Sequence, residues 1–504
     1  MNFRIISFCT LAAILFGCSD TSVRSGKGET YYQNPVLGGD YPDPSVIRVG
    51  NDFYMTHSSF EYYPGLLVWH STDLLHWKRV AHALTRYVGS VWAPDIVKHG
   101  DTWYIYFPAA RKNWVVTAPS PEGPWSEPVE LQVSGIDPGH VVDAGGKRYL
   151  YMSNGYVAPL SDDGLSVTGP SVKNYEGWQF PEEWNTECFC LESPKSTVRN
   201  GYFYLTTAEG GTAGPATAHM VVSARATSPD GPFENSPYNP IIHTNNREER
   251  WWSQGHGTLV DDINGQWWIM YHAYEKGFHT LGRQTLLLPV EWTDDHWFRV
   301  PAGVNSADMI PAPAGEPFAG DMQLSDDFSD HKLGLQWQFF KQYEPGRLSF
   351  DDGKLTLKAQ GRSFTESSPL LVNACDRHYE IEVEYLIDDH VTAGLTLFYD
   401  EQANIRISVD KDHFAVFNRK SRKVAIPNRY GNHGFLRILN DHHEVSFYYS
   451  ADGKEWSKMG RTIEVSGFHH NVFYGFMSLR AGFYAFGEGN AVFDNFVYRK
   501  MIQE

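Results

Sequence analysis

The chain reads as an all-β protein, a five-bladed β-propeller followed by a β-sandwich, and three observations carry that reading. The first is a repeat in the N-terminal three hundred residues. Five segments of similar design recur there: Tyr41-Pro42-Asp43-Pro44-Ser45, Trp92-Ala93-Pro94-Asp95-Ile96, Ile136-Asp137-Pro138-Gly139-His140, Leu191-Glu192-Ser193-Pro194-Lys195 and Gly255-His256-Gly257-Thr258-Leu259. A period of roughly 40–65 residues with several short strands per unit is the mark of a propeller. The second is composition: 15% of the residues are aromatic, and no stretch carries a long helical period, which suits strands throughout. The third is a change of texture after Ile310-Pro311-Ala312-Pro313-Ala314-Gly315-Glu316-Pro317, beyond which short alternating strands follow one another evenly.

Within each propeller unit the acidic or His-bearing segment precedes a turn and then an aromatic strand. These strands are Phe53-Tyr54-Met55, Trp103-Tyr104-Ile105-Tyr106, Tyr149-Leu150-Tyr151, Tyr202-Phe203-Tyr204-Leu205 and Trp267-Trp268-Ile269-Met270-Tyr271. Polar turns with an aromatic close most units, as in Ser71-Thr72-Asp73-Leu74-Leu75-His76-Trp77. The innermost strand of every blade lines the propeller axis, so equivalent positions converge on one spot. That spot is expected to hold Asp43, Asp95, Asp137, Glu192 and His256. Crowded carboxylates on a rigid scaffold point to acid–base chemistry.

The propeller is expected over residues 31–309, a linker over 310–320, and the sandwich over 321–504, a concanavalin A-like jelly roll. Glu380-Ile381-Glu382-Val383-Glu384-Tyr385 shows the alternation expected of a strand with one face on a core. At the N-terminus, Arg4, the apolar run Ile5 to Phe16 and Leu15-Phe16-Gly17-Cys18 resemble a bacterial lipoprotein leader. Residues 1–17 are read as a signal peptide, Cys18 as the lipidated residue, and residues 18–30 as a polar tether. The mature chain is then exported and anchored to a bacterial membrane, in the periplasm or at the cell surface. The apolar run is too short to span a bilayer.

A net charge of −18 argues against nucleic acid or an anionic membrane surface as the main partner. Once the leader is removed and Cys18 anchored, only Cys188, Cys190 and Cys375 remain, which is no disulfide framework. Cys188 and Cys190 are read as small buried residues, with a metal-binding pair as the alternative.

The opening units resemble glycoside hydrolase family 43. The resemblance rests on Asn34-Pro35-Val36, Tyr41-Pro42-Asp43-Pro44-Ser45, Ser58-Ser59-Phe60-Glu61-Tyr62-Tyr63-Pro64-Gly65, Thr207-Ala208-Glu209-Gly210-Gly211-Thr212 and Leu281-Gly282-Arg283-Gln284. These fit the exo-acting β-xylosidase and α-L-arabinofuranosidase branch, and Leu333-Gly334-Leu335-Gln336-Trp337-Gln338 fits its accompanying sandwich. The resemblance implies Asp43 as general base, Glu192 as general acid and Asp137 as the carboxylate that orients the acid and tunes its pKa. It also implies that Arg283 binds sugar hydroxyls, and that His256 is the axial histidine that in some members helps hold a calcium ion through water. Ser193 stands where the acid's following residue is usually Gly.

Glycosidic cleavage independently requires an acid and a base across the bond, ~6.5–9.5 Å apart when the enzyme inverts. Acids on blades one and four face each other across the axis, and a third carboxylate disfavours ionisation of its neighbour. Asp95 is read as a hydroxyl-binding or axis-packing residue. Phe60 and Trp92 are candidate subsite walls or core. The apolar stretch Gly482-Phe483-Tyr484-Ala485-Phe486-Gly487 either narrows the pocket or is buried. The expected activity is an inverting exo-glycosidase with no required cofactor, taking terminal α-L-arabinofuranosyl or β-D-xylosyl units from arabinoxylan, arabinan or xylo-oligosaccharides. The alternatives are an inactive surface glycan-binding lipoprotein and an exo-β-galactosidase of the same fold.

Overall fold

The computed structural model describes residues 22–24, 30–318 and 322–502; the leader and Cys18 lie outside the described residues. Five four-stranded antiparallel units follow one another, and their first strands are Ser45–Val49, Asp95–His99, Gly139–Val142, Glu192–Arg199 and Trp251–Asp261. The fourth carries an additional short strand, Ile242–His243. Middle strands such as Tyr202–Glu209 and Met220–Ala226 are buried almost throughout, because blades stack on both of their faces. This explains why they read as continuous apolar runs rather than as clean alternation.

The ring is sealed by the segment that precedes blade one. Thr30–Gln33 pairs with Met309–Pro311, and the Val36 N–H donates to the Thr285 carbonyl at 2.9 Å on blade five. Met309–Pro311 is therefore a strand of this closure, and the irregular linker begins after it.

The sandwich packs a seven-stranded sheet against an eight-stranded one. Along His378–Ile387 the buried residues Ile381, Val383 and Tyr385 alternate with Glu382 and Glu384, which are less buried. The buried face joins a core built around Trp337, Phe483 and Phe493. The eighth strand of the larger sheet comes from the propeller: Tyr62–Tyr63 pairs with Gln338–Phe340, placing Phe339 opposite Tyr63. Arg480 stacks over the Tyr62 ring at 3.5 Å from its centroid, and the Asn373 side chain donates to the Asp40 carbonyl at 3.0 Å. The two domains thus share a sheet, a cation–π contact and buried hydrogen bonds, and the sandwich is fixed against the propeller beside blade one.

Two expectations change here. Gly482 to Gly487 is no loop over the pocket. It lies within the strand Arg480–Glu488, with Phe483 and Tyr484 fully buried in the sandwich core. Cys188 and Cys190 are neither buried spacers nor a metal pair but a disulfide. Cys190 has φ 45°, a left-handed conformation that re-aims its side chain, and the two Cα atoms lie 5.3 Å apart. Among the described residues the one α-helix is the single turn His470–Phe473, and no helix is long and apolar enough to cross a membrane.

Candidate active site

Four of the five axial segments turn through the left-handed region at the site: Asp43 has φ 59°, Asp137 56°, Ser193 55° and His256 55°. Such conformations cost about 1–3 kcal/mol each outside glycine and persist where surrounding structure enforces them. Here they turn the innermost strands so that the side chains converge at one end of the axis. The close approach of blades three and four has its own requirement. A Cβ on Gly139 would lie 1.6 Å from the Pro194 carbonyl oxygen, so only glycine lets Asp137 and Glu192 come together.

His256 is the centre of the constellation. Its Nδ1 faces Asp43 Oδ1 at 3.2 Å, and its Nε2 faces Glu192 Oε1 at 3.2 Å and Asp137 Oδ2 at 3.5 Å. Burial opposes charge on this imidazole, yet Asp43 and the other two carboxyls outweigh it and raise its pKa. Asp43 and Glu192 therefore stand on opposite sides of one ring. A ring width and two 3.2 Å contacts give a separation of the order found in inverting glycosidases, ~6.5–9.5 Å.

Asp43 is buried, and both of its oxygens accept hydrogen bonds. Arg283 donates from Nη1 to Oδ1 at 2.9 Å and from Nη2 to Oδ2 at 3.4 Å, while the Ser58 hydroxyl donates to Oδ2. Burial pushes its carboxyl up, but Arg283 and His256 together hold it well below the usual carboxylate range. His272 completes the cradle. Burial and Arg283 lower its pKa to about 3, so the ring is neutral and its Nδ1 accepts the Asp43 N–H at 3.1 Å. The same Nδ1 lies 3.0 Å from Asp43 Oδ1, and Nε2 lies 3.3 Å from Thr212 Oγ1.

Asp137 behaves oppositely. Burial raises its pKa to about 7; His256 opposes this, while Glu192 and Asp43 add to it. Its Oδ2 accepts the Ser193 N–H at 3.1 Å, so it grips the backbone next to Glu192. Ser193 occupies a left-handed position that glycine would take without strain, and its hydroxyl makes no hydrogen bond.

The pocket over these groups is narrow and aromatic. Phe60, Trp92 and Phe476 wall it, with Thr212 and Arg283 at its floor. Arg283 lies between two of the rings, its guanidinium carbon 5.6 Å from the Phe60 centroid and 5.2 Å from that of Phe476. Trp92 is 37% exposed and meets Phe476 edge-on at 6.0 Å. One charged wall and flat apolar rings around an acid and a base suit a single sugar ring.

Asp95 is the expected site residue that does not reach the pocket. Its Oδ1 accepts from Ser45 Oγ at 2.9 Å and Lys195 Nζ at 3.0 Å, and its Oδ2 accepts the His140 N–H at 2.8 Å. Lys195 also donates to the carbonyls of Pro94 and Pro138. Asp95 is therefore committed to packing the axis below the site, tying four blades together, and leaves no oxygen for a sugar.

The donors near His256 do not suit calcium, which takes six to eight oxygen ligands. Both ring nitrogens of His256 face carboxyls, Asp43 is paired with Arg283, and the neighbouring groups His219 and His272 are imidazoles. The His256 imidazole, whose pKa the surrounding carboxyls raise, itself occupies the position between them.

Several site residues escaped the sequence reading. Phe476 comes from the sandwich, with no repeat to point to it. His272 was legible only as a polar residue inside an otherwise apolar strand, a pattern that requires a buried partner, whereas Lys195 lies in the largely polar strand Glu192–Arg199, where nothing marks it. Asp40 accepts the Arg283 N–H at 3.1 Å, an approach that a Cβ on Gly282 would block at 2.2 Å.

Residues 32–298 match the model of glycosyl hydrolases family 43, and residues 325–499 match the beta xylosidase C-terminal concanavalin A-like domain. Among curated relatives, xylosidase/arabinosidase 43B of Humicola insolens is 28% identical over 93% of this chain and 97% of its own length. A non-reducing end alpha-L-arabinofuranosidase of Bacteroides ovatus is 30% identical over 83% of this chain and 81% of its own. Among solved structures, the family 43 protein BlXynB from Bacillus licheniformis superposes with a TM-score of 0.86 at 30% identity, covering 94% of this chain and all of that one. A xylan beta-1,4-xylosidase from Bacillus halodurans gives 0.83 at 28% identity, over 93% of this chain and all of its own. With both of its domains matched, the chain is a glycoside hydrolase and belongs to glycosyl hydrolase family 43.

Proposed function

We propose that the protein removes terminal α-L-arabinofuranosyl or β-D-xylosyl units from plant cell-wall pentosans or their oligosaccharides, with inversion of configuration. The observation that carries this reading is the pair of carboxyls across His256, one held ionised and the other aligned by Asp137. Asp43, ionised by Arg283 and His256, takes a proton from the attacking water. Glu192 gives its proton to the leaving glycosidic oxygen, so the C–O bond breaks as water's oxygen bonds to the anomeric carbon from the opposite face. Asp137 orients Glu192 through the Ser193 N–H. Arg283, Phe60, Trp92 and Phe476, which line the pocket, bind the terminal ring. No cofactor enters this scheme. The relatives named for xylose and arabinose substrates support the sugar class.

The reading also includes export and lipid anchoring through Cys18, on the strength of the leader motif. The test of the activity is release of 4-nitrophenol from the α-L-arabinofuranoside and the β-D-xyloside by wild type, Asp43→Ala and Glu192→Ala. Turnover of at least one glycoside that collapses in both variants is expected. A protein inert on both yet binding arabinoxylan or arabinan is a glycan-binding module instead.

A further inference from the structure

Phe476 reaches the pocket on a short hook of the sandwich, and the hook is built around one histidine. The segment begins at the single helical turn His470–Phe473, where the His469 side chain accepts the Asn471 N–H. It then reverses through Tyr474, Gly475 and Phe476, all with positive φ. Little regular structure holds such a reversal. The Tyr399 hydroxyl ties its two ends, donating to the Tyr474 carbonyl and accepting the Met477 N–H at 3.4 Å, and His470 restrains Phe476 itself: its Nδ1 accepts the Phe476 N–H at 2.9 Å, and its ring lies parallel to the Phe476 ring with centroids 3.7 Å apart at 13°. His470 itself is buried, 8% exposed.

The other face of Phe476 looks to the propeller. Its ring meets Arg283 at 5.2 Å and the edge of Trp92 at 6.0 Å. A stack therefore runs from His470 through Phe476 to Arg283, the residue that holds Asp43. An aromatic wall of the pocket is thus set by a sandwich residue that never enters it.

From this geometry we infer that His470 is a positioning residue for substrate binding: it seats Phe476 as the pocket wall through the backbone hydrogen bond and the ring stack. The neutral imidazole is the form that can accept the Phe476 N–H, and burial together with Arg283 lowers its pKa to about 4, so that form prevails at neutral pH. The inference rests on the glycosidase reading of the same pocket. A wall that touches the sugar equally in ground and transition states acts on KM rather than kcat.

The experiment compares wild type, His470→Ala, His470→Asn, Phe476→Ala and the His470→Ala/Phe476→Ala double variant on the 4-nitrophenyl glycoside that wild type turns over best. His470→Ala is expected to raise KM about three- to tenfold with kcat within about twofold, the scale of one lost aromatic contact. His470→Asn, which retains an acceptor near the Nδ1 position, should fall between wild type and His470→Ala. The double variant should match Phe476→Ala alone, because His470 acts through that ring. Multiplied KM effects in the double variant, or a loss of kcat with KM unchanged, would overturn the inference. If His470→Ala does not fold, His470→Asn alone must still raise KM. Calorimetric titration with xylose and arabinose reads the same effect without turnover. A wild type that binds but does not turn over then counts against the glycosidase reading alone, while unchanged sugar affinity in the His470 variants counts against the inference.

Discussion

Removing the guanidinium that faces Asp43 tests how the base is kept ionised. Arg283 contributes two donated hydrogen bonds, at 2.9 and 3.4 Å, to a carboxylate that is 4% exposed. With charge centres roughly 4 Å apart and an effective dielectric constant of about 20, the attraction is about 4 kcal/mol, worth about 3 pH units in the titration of Asp43. In Arg283→Met the burial of Asp43 is no longer opposed by that charge, although His256 remains. The folded-state pKa therefore rises, and the base is protonated at a higher pH than in wild type. The acid limb of kcat/KM should move upward by about 2–3 pH units, beyond any uniform fall from lost sugar contacts. Stability follows the same sign. A carboxylate depressed in the folded state stabilises the protein above its unfolded pKa, and that contribution disappears as pH falls through the folded pKa. Wild type should thus hold a stability advantage at neutral pH that shrinks on acidification, with breakage of the buried pair costing about 3–5 kcal/mol. The assay is a pH–rate profile at subsaturating glycoside with urea unfolding alongside. An acid limb that stays in place while the rate falls uniformly would falsify the account and leave Arg283 as a sugar ligand only.

Two further outcomes follow from other parts of the chain. Lys195→Met should destabilise the propeller by about 3–5 kcal/mol, since Asp95 is left buried and unpaired, and adding Asp95→Asn should recover part of the loss; urea unfolding measures both, and a cost below about 1 kcal/mol contradicts the axial role. Cys18→Ala in the full chain expressed in a bacterium should abolish incorporation of labelled palmitate and release the protein from membranes; unlabelled wild type would refute the anchor.

The meeting of Asp43, Asp137 and Glu192 around His256 was legible because a propeller repeats its innermost strand. Asp43, Asp137, Glu192 and His256 stand at equivalent places in their units, and the axis brings equivalent places together. At Asp95 the same logic left sugar binding and axis packing open, and Lys195, Ser45 and the His140 N–H commit it to the axis. Repetition fixes where a side chain starts, whereas a buried cation two blades away decides what it serves. Phe476 and His470 lay beyond reach for a different reason. They belong to a domain whose strands repeat nothing in the propeller, and their relation to Asp43 arises only when Tyr62–Tyr63 joins the sandwich sheet. The stretch at Phe483 looked like the pocket-facing element because it is aromatic, but its alternation belongs to a core strand. The Cys188–Cys190 bond depends on a left-handed φ that the residue type does not announce.

The central claim is that one carboxyl on each side of His256 performs the two proton transfers of glycoside hydrolysis. Turnover of 4-nitrophenyl α-L-arabinofuranoside and β-D-xyloside by wild type, Asp43→Ala and Glu192→Ala tests it most directly. The account predicts turnover of at least one glycoside by wild type, reduced by about 10²-fold or more in each variant. Full activity in either variant would contradict it.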